Sequence, residues 1–153
     1  MFVDDDLVVL ASLRNLFHRE RKEWHMRFAG SGHEALAQLA DEPADVIVSD
    51  MRMPQMDGAE LLEAVSQRLP SSGRIVLTGY SEPVSMARAQ LVAHEVLNKP
   101  CDVRVLRDAI VRHAHCSTVT TPPSSLPLPL PSPPSSTPAS VPPGQIQVPS
   151  KSP

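Results

Sequence analysis

Val46-Ile47-Val48-Ser49-Asp50 is an apolar run that closes on an acid. A strand with one face in water alternates apolar and polar residues, whereas a strand covered on both faces need not alternate. The run therefore predicts a central parallel strand with helices on either side. Working outward, the chain opens on a second, shorter run of the same kind: Met1-Phe2-Val3, followed by Asp4-Asp5-Asp6. If both runs lie parallel, their C-terminal ends gather several carboxylates at one edge of a sheet. Open α/β sheets bind ligands at that edge. Close carboxylate pairs repel by about 4 kcal/mol at an effective dielectric near 20, so folding alone gives no reason for the crowding. The pattern calls for a hard cation bound by oxygen, and Mg²⁺ is the expected one.

The rest of the first 115 residues alternates strand-like and helix-like patches. Asp6 is placed to cap a helix through residue 17, with Val9, Leu10, Leu13, Leu16 and Phe17 on a helical period. Residues 24–28 read as a strand. Ser31-Gly32-His33-Glu34 has the form of a capping box and opens a helix to residue 40. Asp57-Gly58-Ala59-Glu60 repeats the form and opens another to about residue 68. A turn at residues 70–73 leads into a strand at Ile75-Val76-Leu77, and Ser81-Glu82-Pro83 starts a fourth helix with proline in its first turn. Residues 95–98 form a fifth strand, and Asp102 caps a last helix with Val103, Leu106, Ala109 and Ile110 on one face. Five β-α repeats predict a doubly wound, five-stranded parallel sheet with helices on both faces. The first strand is short for the central position it should hold.

Composition divides the 153-residue chain into residues 1–115, enough for one core, and residues 116–153. The second part carries Lys151 alone among charged residues and is otherwise rich in Pro, Ser and Thr. It cannot bury enough apolar surface to offset ordering and is expected to be disordered, with polyproline-like segments around Leu126-Pro127-Leu128-Pro129-Leu130-Pro131. A net charge of −3 does not favour a nucleic-acid groove. Cys101 and Cys116 form neither a disulfide framework nor a metal spacing. Acids stand where a signal peptide needs basic residues, and no apolar run reaches membrane-spanning length. A soluble cytoplasmic protein is the expectation, with no direct contact to membrane or nucleic acid.

The chemistry-bearing residues all fall at expected strand ends. Asp50 is a carboxylate nucleophile that needs a cation beside it and a partner for an incoming phosphoryl group. Asp5 and Asp50 can supply metal oxygens, Asp4 can act directly or through water, and the backbone carbonyl of Arg52 is a further candidate ligand. The Thr78 hydroxyl can bond one phosphoryl oxygen, and Lys99 can set a point charge against another. Phosphoryl transfer rests mostly on positioning and charge stabilisation, which this set can provide.

Val3-Asp4-Asp5-Asp6, Ser49-Asp50-Met51-Arg52-Met53-Pro54-Gln55-Met56-Asp57-Gly58, Leu77-Thr78-Gly79 and Asn98-Lys99-Pro100 together resemble the signature of response-regulator receiver domains of two-component systems, the CheY-like family. The resemblance covers residues 1 to about 115 in unbroken order. It implies that Asp50 accepts phosphate from a histidine kinase or phosphotransfer protein, that Asp4 and Asp5 hold Mg²⁺, and that Thr78 and Lys99 sense the phosphoryl group. It also implies a cis bond between Lys99 and Pro100. One position departs: family members usually carry an aromatic residue three places before the lysine, and Val96 stands here. Phosphorylation is then expected to shift the face of helix four, strand five and helix five weakly, or through another residue. The expected role is a stand-alone receiver that signals through an unidentified downstream protein and is not itself an enzyme. Two other readings stay open. One is a receiver-shaped adaptor that needs no phosphorylation. The other is a small aspartyl-phosphate phosphatase, against which Arg52 stands where such enzymes would want a second acid.

Overall fold

The computed structural model describes residues 1–79 and 83–114, all within the N-terminal unit Met1–Pro122. Tyr80, the expected helix start at Ser81 and Glu82, His115 and the Pro/Ser/Thr-rich residues 116–153 lie outside the described residues. Five strands form one sheet: β1 (Phe2–Val3), β2 (Phe28–Ala29), β3 (Val46–Asp50), β4 (Gly73–Thr78) and β5 (Glu95–Asn98). All four pairings are parallel, in the order β2-β1-β3-β4-β5. The helices α1 (Leu7–Leu16), α2 (Gly32–Asp41), α3 (Gly58–Arg68), α4 (Pro83–Val92) and α5 (Val103–Ala114) follow the strands in turn. The doubly wound fold predicted from the apolar runs is the one observed.

Period-two alternation sorts the strand side chains between two cores. Phe2, Val46, Val48, Ile75 and Leu77 pack with Leu10, Leu13 and Phe17 of the α1 segment and Leu106, Ala109 and Ile110 of α5. Val3, Ile47 and Val76 pack on the opposite face, with Ala35 and Leu39 of α2, Leu61, Leu62 and Val65 of α3, and Ala89 of α4. The chain steps from β1 outward to β2 and then back past β1 to β3, so the winding direction reverses between β1 and β3. In such sheets that reversal opens the crevice where ligands bind.

The short first strand holds its central place because it is paired on both sides. Phe2 and Val3 face Phe28 and Ala29 on one side and Val48 and Ser49 on the other. Backbone bonds continue the ladder at both ends, from the Val48 N–H to the Met1 carbonyl (2.9 Å) and from the Asp4 N–H to the Ala29 carbonyl (3.2 Å).

Three local expectations need correction. The strand expected over residues 24–28 is only Phe28–Ala29, since an edge strand pairs no further than its neighbour and β1 offers two residues. A 3-10 helix, His18–Lys22, precedes it; the Trp24 indole turns onto Phe17 (ring centroids 5.7 Å apart), and the Arg27 guanidinium is tied to the carbonyls of Gln38, Glu42 and Pro43. Leu16, placed on the buried face by periodicity, is 52% exposed, because Leu10, Leu13 and Phe17 already define the inward stripe. The Ser31 box closes only halfway. Ser31 Oγ accepts from the Glu34 N–H at 3.1 Å, but the Glu34 carboxylate reaches past Ser31 to the Gly30 N–H at 2.7 Å. The Asp57 box is complete in both directions. Among the described residues no helix is long and apolar enough to cross a membrane.

Candidate functional site

At the C-terminal end of β1 the three consecutive acids divide into three roles. Asp4 turns inward and is buried; one of its oxygens, Oδ1, accepts from the Asp6 N–H at 2.9 Å. Asp5 faces solvent. Asp6 caps α1, its Oδ1 accepting from the Val8 N–H at 2.8 Å. A strand that ends and a helix that begins within three residues leave little freedom here, and the cap fixes the turn that aims Asp4.

Asp50 ends β3 with a side chain only 12% exposed. Its Oδ2 accepts from the Arg52 N–H at 2.6 Å. The turn behind it is held on both flanks. The Met51 N–H donates to the Leu77 carbonyl and the Gly58 N–H to the Met51 carbonyl, each at 2.9 Å. Met51 and Met53 are buried beneath the turn. Gln55 takes a φ of 69° at the reversal. Gly58 is required by a close approach. A Cβ there would fall inside the radius of the Asp50 carbonyl oxygen, with the Asp50 carbonyl carbon and Met51 Cα both at 3.1 Å. The start of α3 thus rests directly on the main chain of Asp50.

Lys99 follows β5, and its N–H donates to the Thr78 carbonyl at 2.6 Å. The Lys99–Pro100 bond is cis. The Lys99 ammonium reaches Asp4 Oδ2 at 2.8 Å and also bonds Asp50 Oδ1. Burial by itself would lower the pKa of this amine, but the hydrogen bonds to Asp4 and Asp50, with their charges, outweigh it and hold the pKa above the ordinary lysine value. Thr78, at the end of β4, is buried, and its Oγ1 donates to the Gly79 carbonyl at 3.0 Å.

The structure therefore brings Asp4, Asp50 and Lys99 into direct contact, with Thr78 on the neighbouring strand end. Asp5 stands at the same edge without joining the cluster, and Arg52 enters through its N–H. Among the described residues no three acidic, histidine or cysteine side chains meet in metal-holding geometry. The donor chemistry nonetheless suits a hard divalent cation. The side-chain groups beside the ammonium are oxygen donors, two carboxylates against one ammonium and both largely withdrawn from water.

Two features had no clear mark in the sequence. Arg88 of α4 donates to Asp57 Oδ2 at 2.8 Å, an ion pair across 31 positions that no local pattern announces. His94 and His113, scattered in sequence, stack with ring centroids 5.6 Å apart. The His94 ring also meets Arg74, whose N–H donates to Nδ1 at 3.2 Å and whose guanidinium lies 2.9 Å from Nε2. Burial first, then the charges of Arg74 and His113, lower the His94 pKa below the usual histidine value.

Comparison with known proteins places the family and the fold. The profile of the response regulator receiver domain matches residues 1–111. The transcriptional regulatory protein GlrR of Escherichia coli is 34% identical over 113 residues, 72% of this chain and 24% of its own. The DNA-binding transcriptional regulator NtrC of Salmonella typhimurium is 40% identical over 74 residues, 48% of this chain and 16% of its own. The match thus spans about a quarter or less of either regulator's length. Among solved structures, a CheY-like response regulator receiver domain protein from Methanospirillum hungatei superposes with a TM-score of 0.69 at 27% identity, covering 74% of this chain and 90% of that one.

Proposed function

This chain belongs to the response-regulator receiver family of two-component systems, and from that premise we propose that Asp50 is its phosphoacceptor. In the reaction a carboxylate oxygen of Asp50 attacks the phosphorus of a phosphohistidine on a histidine kinase or phosphotransfer protein. The P–N bond breaks, the imidazole leaves with its electron pair, and an acyl phosphate forms on Asp50. The observation that carries this reading is the convergence of Asp4 and Asp50, from two separate strands, on the ammonium of Lys99.

Each residue then has a task. The Arg52 N–H and the Lys99 ammonium hold the Asp50 carboxylate oriented. Lys99 offsets the charge of the transferred group, and the Thr78 hydroxyl offers a donor at the adjacent strand end. Asp4, Asp5, Asp50 and the Arg52 carbonyl would hold Mg²⁺, which supplies charge neutralisation for the phosphoryl oxygens. The modified domain acts as a signalling component rather than a turnover enzyme, and its output passes through protein–protein contacts.

The test is direct. The full chain is incubated with Mg²⁺ and acetyl phosphate and followed by intact mass. One added phosphoryl group, absent from Asp50→Asn and from samples with chelator, is the expected result. Labelling that persists in Asp50→Asn, or catalytic turnover of a generic phosphate ester, would overturn the reading.

A further inference from the structure

Among the described side chains of α4, residues 86–92, Ala89 alone is fully buried, Val92 packs partly buried against the core and Leu91 is 85% exposed. The burial of a single methyl contributes only about 0.8 kcal/mol, so polar ties also bear on where this stretch sits. Two polar ties reach the described part of the helix: at its C-terminal end Arg74 Nε donates to the Val92 carbonyl at 2.8 Å, and in its middle stands Arg88. Its guanidinium bonds Asp57 Oδ2 at 2.8 Å and lies 4.0 Å from Glu60 Oε1. Those two acids are the reciprocal halves of the capping box that starts α3: the Asp57 N–H donates to Glu60 Oε2 at 3.0 Å, and the Glu60 N–H donates to Asp57 Oδ1 at 2.8 Å. The next residue, Gly58, is the one pressed against the Asp50 carbonyl. A contiguous physical path therefore runs from Asp50 through Gly58 and the cap to Arg88 and α4.

At position 96 this chain departs from the aromatic residue that the resemblance leads one to expect. Val96 is a β-branched side chain, partly buried against the α2–α4 core and stiff at χ1. It has no ring to swing between two positions.

We propose that Arg88 is a positioning residue that couples the state of Asp50 to the placement of α4 through the Asp57–Glu60 cap. The proposal rests on Asp50 being the phosphoacceptor. Phosphorylation replaces the singly charged Asp50 carboxylate with an acyl phosphate carrying up to about two negative charges, a net gain of about one, beside the turn that Gly58 and Asp57 close. Displacement of that turn moves the cap, and the guanidinium either follows it or releases it. Both responses bear on the placement of the middle of α4, where Arg88 sits.

The experiment is hydrogen–deuterium exchange of the full chain, with and without Mg²⁺ and beryllofluoride as the acyl-phosphate mimic. The parent protein should change exchange both at residues 50–58 and at residues 86–92. In Arg88→Ala the change at 86–92 should shrink by about two- to fivefold, the range a partly exposed ion pair supports, while the change at 50–58 persists. Arg88→Lys should restore part of the response. Asp57→Asn keeps a good helix cap but removes the charge, and should behave as Arg88→Ala does. A parent-like response at 86–92 in both Arg88→Ala and Asp57→Asn would overturn the coupling and leave the acceptor assignment standing. So would a parent protein that responds at 50–58 but not at 86–92. Absence of any response at 50–58 in the parent would instead overturn the acceptor assignment, and the coupling with it.

Discussion

Replacing Gly58 by alanine adds one methyl group at the place where α3 meets the acceptor strand. That methyl would fall within the radius of the Asp50 carbonyl oxygen. A carbon and a carbonyl oxygen need about 3.3 Å, so α3 must retreat or the turn must open by roughly an ångström. Overpacking of this kind costs about 1–3 kcal/mol. Straining the bond from the Gly58 N–H to the Met51 carbonyl, 2.9 Å in the native turn, costs up to about 1 kcal/mol more. The helix propensity of alanine returns at most about 1 kcal/mol, and less at a first helical position. The net loss is about 1–3 kcal/mol, or a fall in Tm of roughly 4–12 °C for a domain of this size. Gly79→Ala is the control, since a Cβ there meets nothing within 4 Å. It should melt within about 0.5 kcal/mol of the parent. Phosphoryl labelling should suffer more than stability, because an ångström of misplacement can cost about a hundredfold in rate. Thermal melts followed by circular dichroism, with labelling rates from acetyl phosphate, measure both. A Gly58→Ala protein that melts and labels like the parent would refute the argument that α3 bears on Asp50.

Lys99→Ala leaves the Asp4 and Asp50 carboxylates without their shared ammonium; urea unfolding should show a loss of about 1–3 kcal/mol, discounted from a fully buried pair because Lys99 is 31% exposed. Because the folded pKa of Lys99 is raised, its contribution is complete below about pH 10.4 and disappears as pH climbs through the higher folded value; a parent–variant difference unchanged at still higher pH would contradict that. His94 has the opposite sign. Its pKa is lowered on folding, so the stability it confers is present above about pH 6.5 and is lost as pH falls through the folded value. Melts across that range should slope less in His94→Gln, and equal slopes would discount the site. Mg²⁺ should raise Tm, by an amount equivalent to about 2.7 kcal/mol at a hundredfold excess over Kd. Asp5→Asn should blunt that rise, and an undiminished rise would remove Asp5 from the ligand set.

The legible parts of the fold were those written in local pattern. The unbroken apolar character of β3 gave away a sheet covered on both faces, and Asp6, Asp57 and Asp102 each cap the helix assigned to them. Asp4, Asp50 and Lys99 could be brought together on paper because strand ends in a parallel sheet share one edge. What stayed hidden depends on partners far away in sequence. The extent of β2 is set by β1, which residues 24–28 do not reveal. The reach of Glu34 to Gly30 in place of Ser31 is a choice between two neighbouring N–H groups at one helix start. The Arg88 pair and the His94–His113 stack exist only once α4, β5 and α5 are docked.

The two-residue β1 ladder also couples folding accuracy to chemistry. Phe2 and Val3 are assigned to opposite faces by side-chain alternation, and the next residue inherits its direction from them. A slip of one rung would send Phe2 and Val3 to the wrong cores and carry Asp4 out of contact with Lys99. The aromatic stack of Phe2 between Phe17 and Phe28, at 5.5 and 5.4 Å, is thus also a proofreading device. A misaligned chain would forfeit its greasiest interlock together with its reactive centre, so defective copies betray themselves as unstable ones.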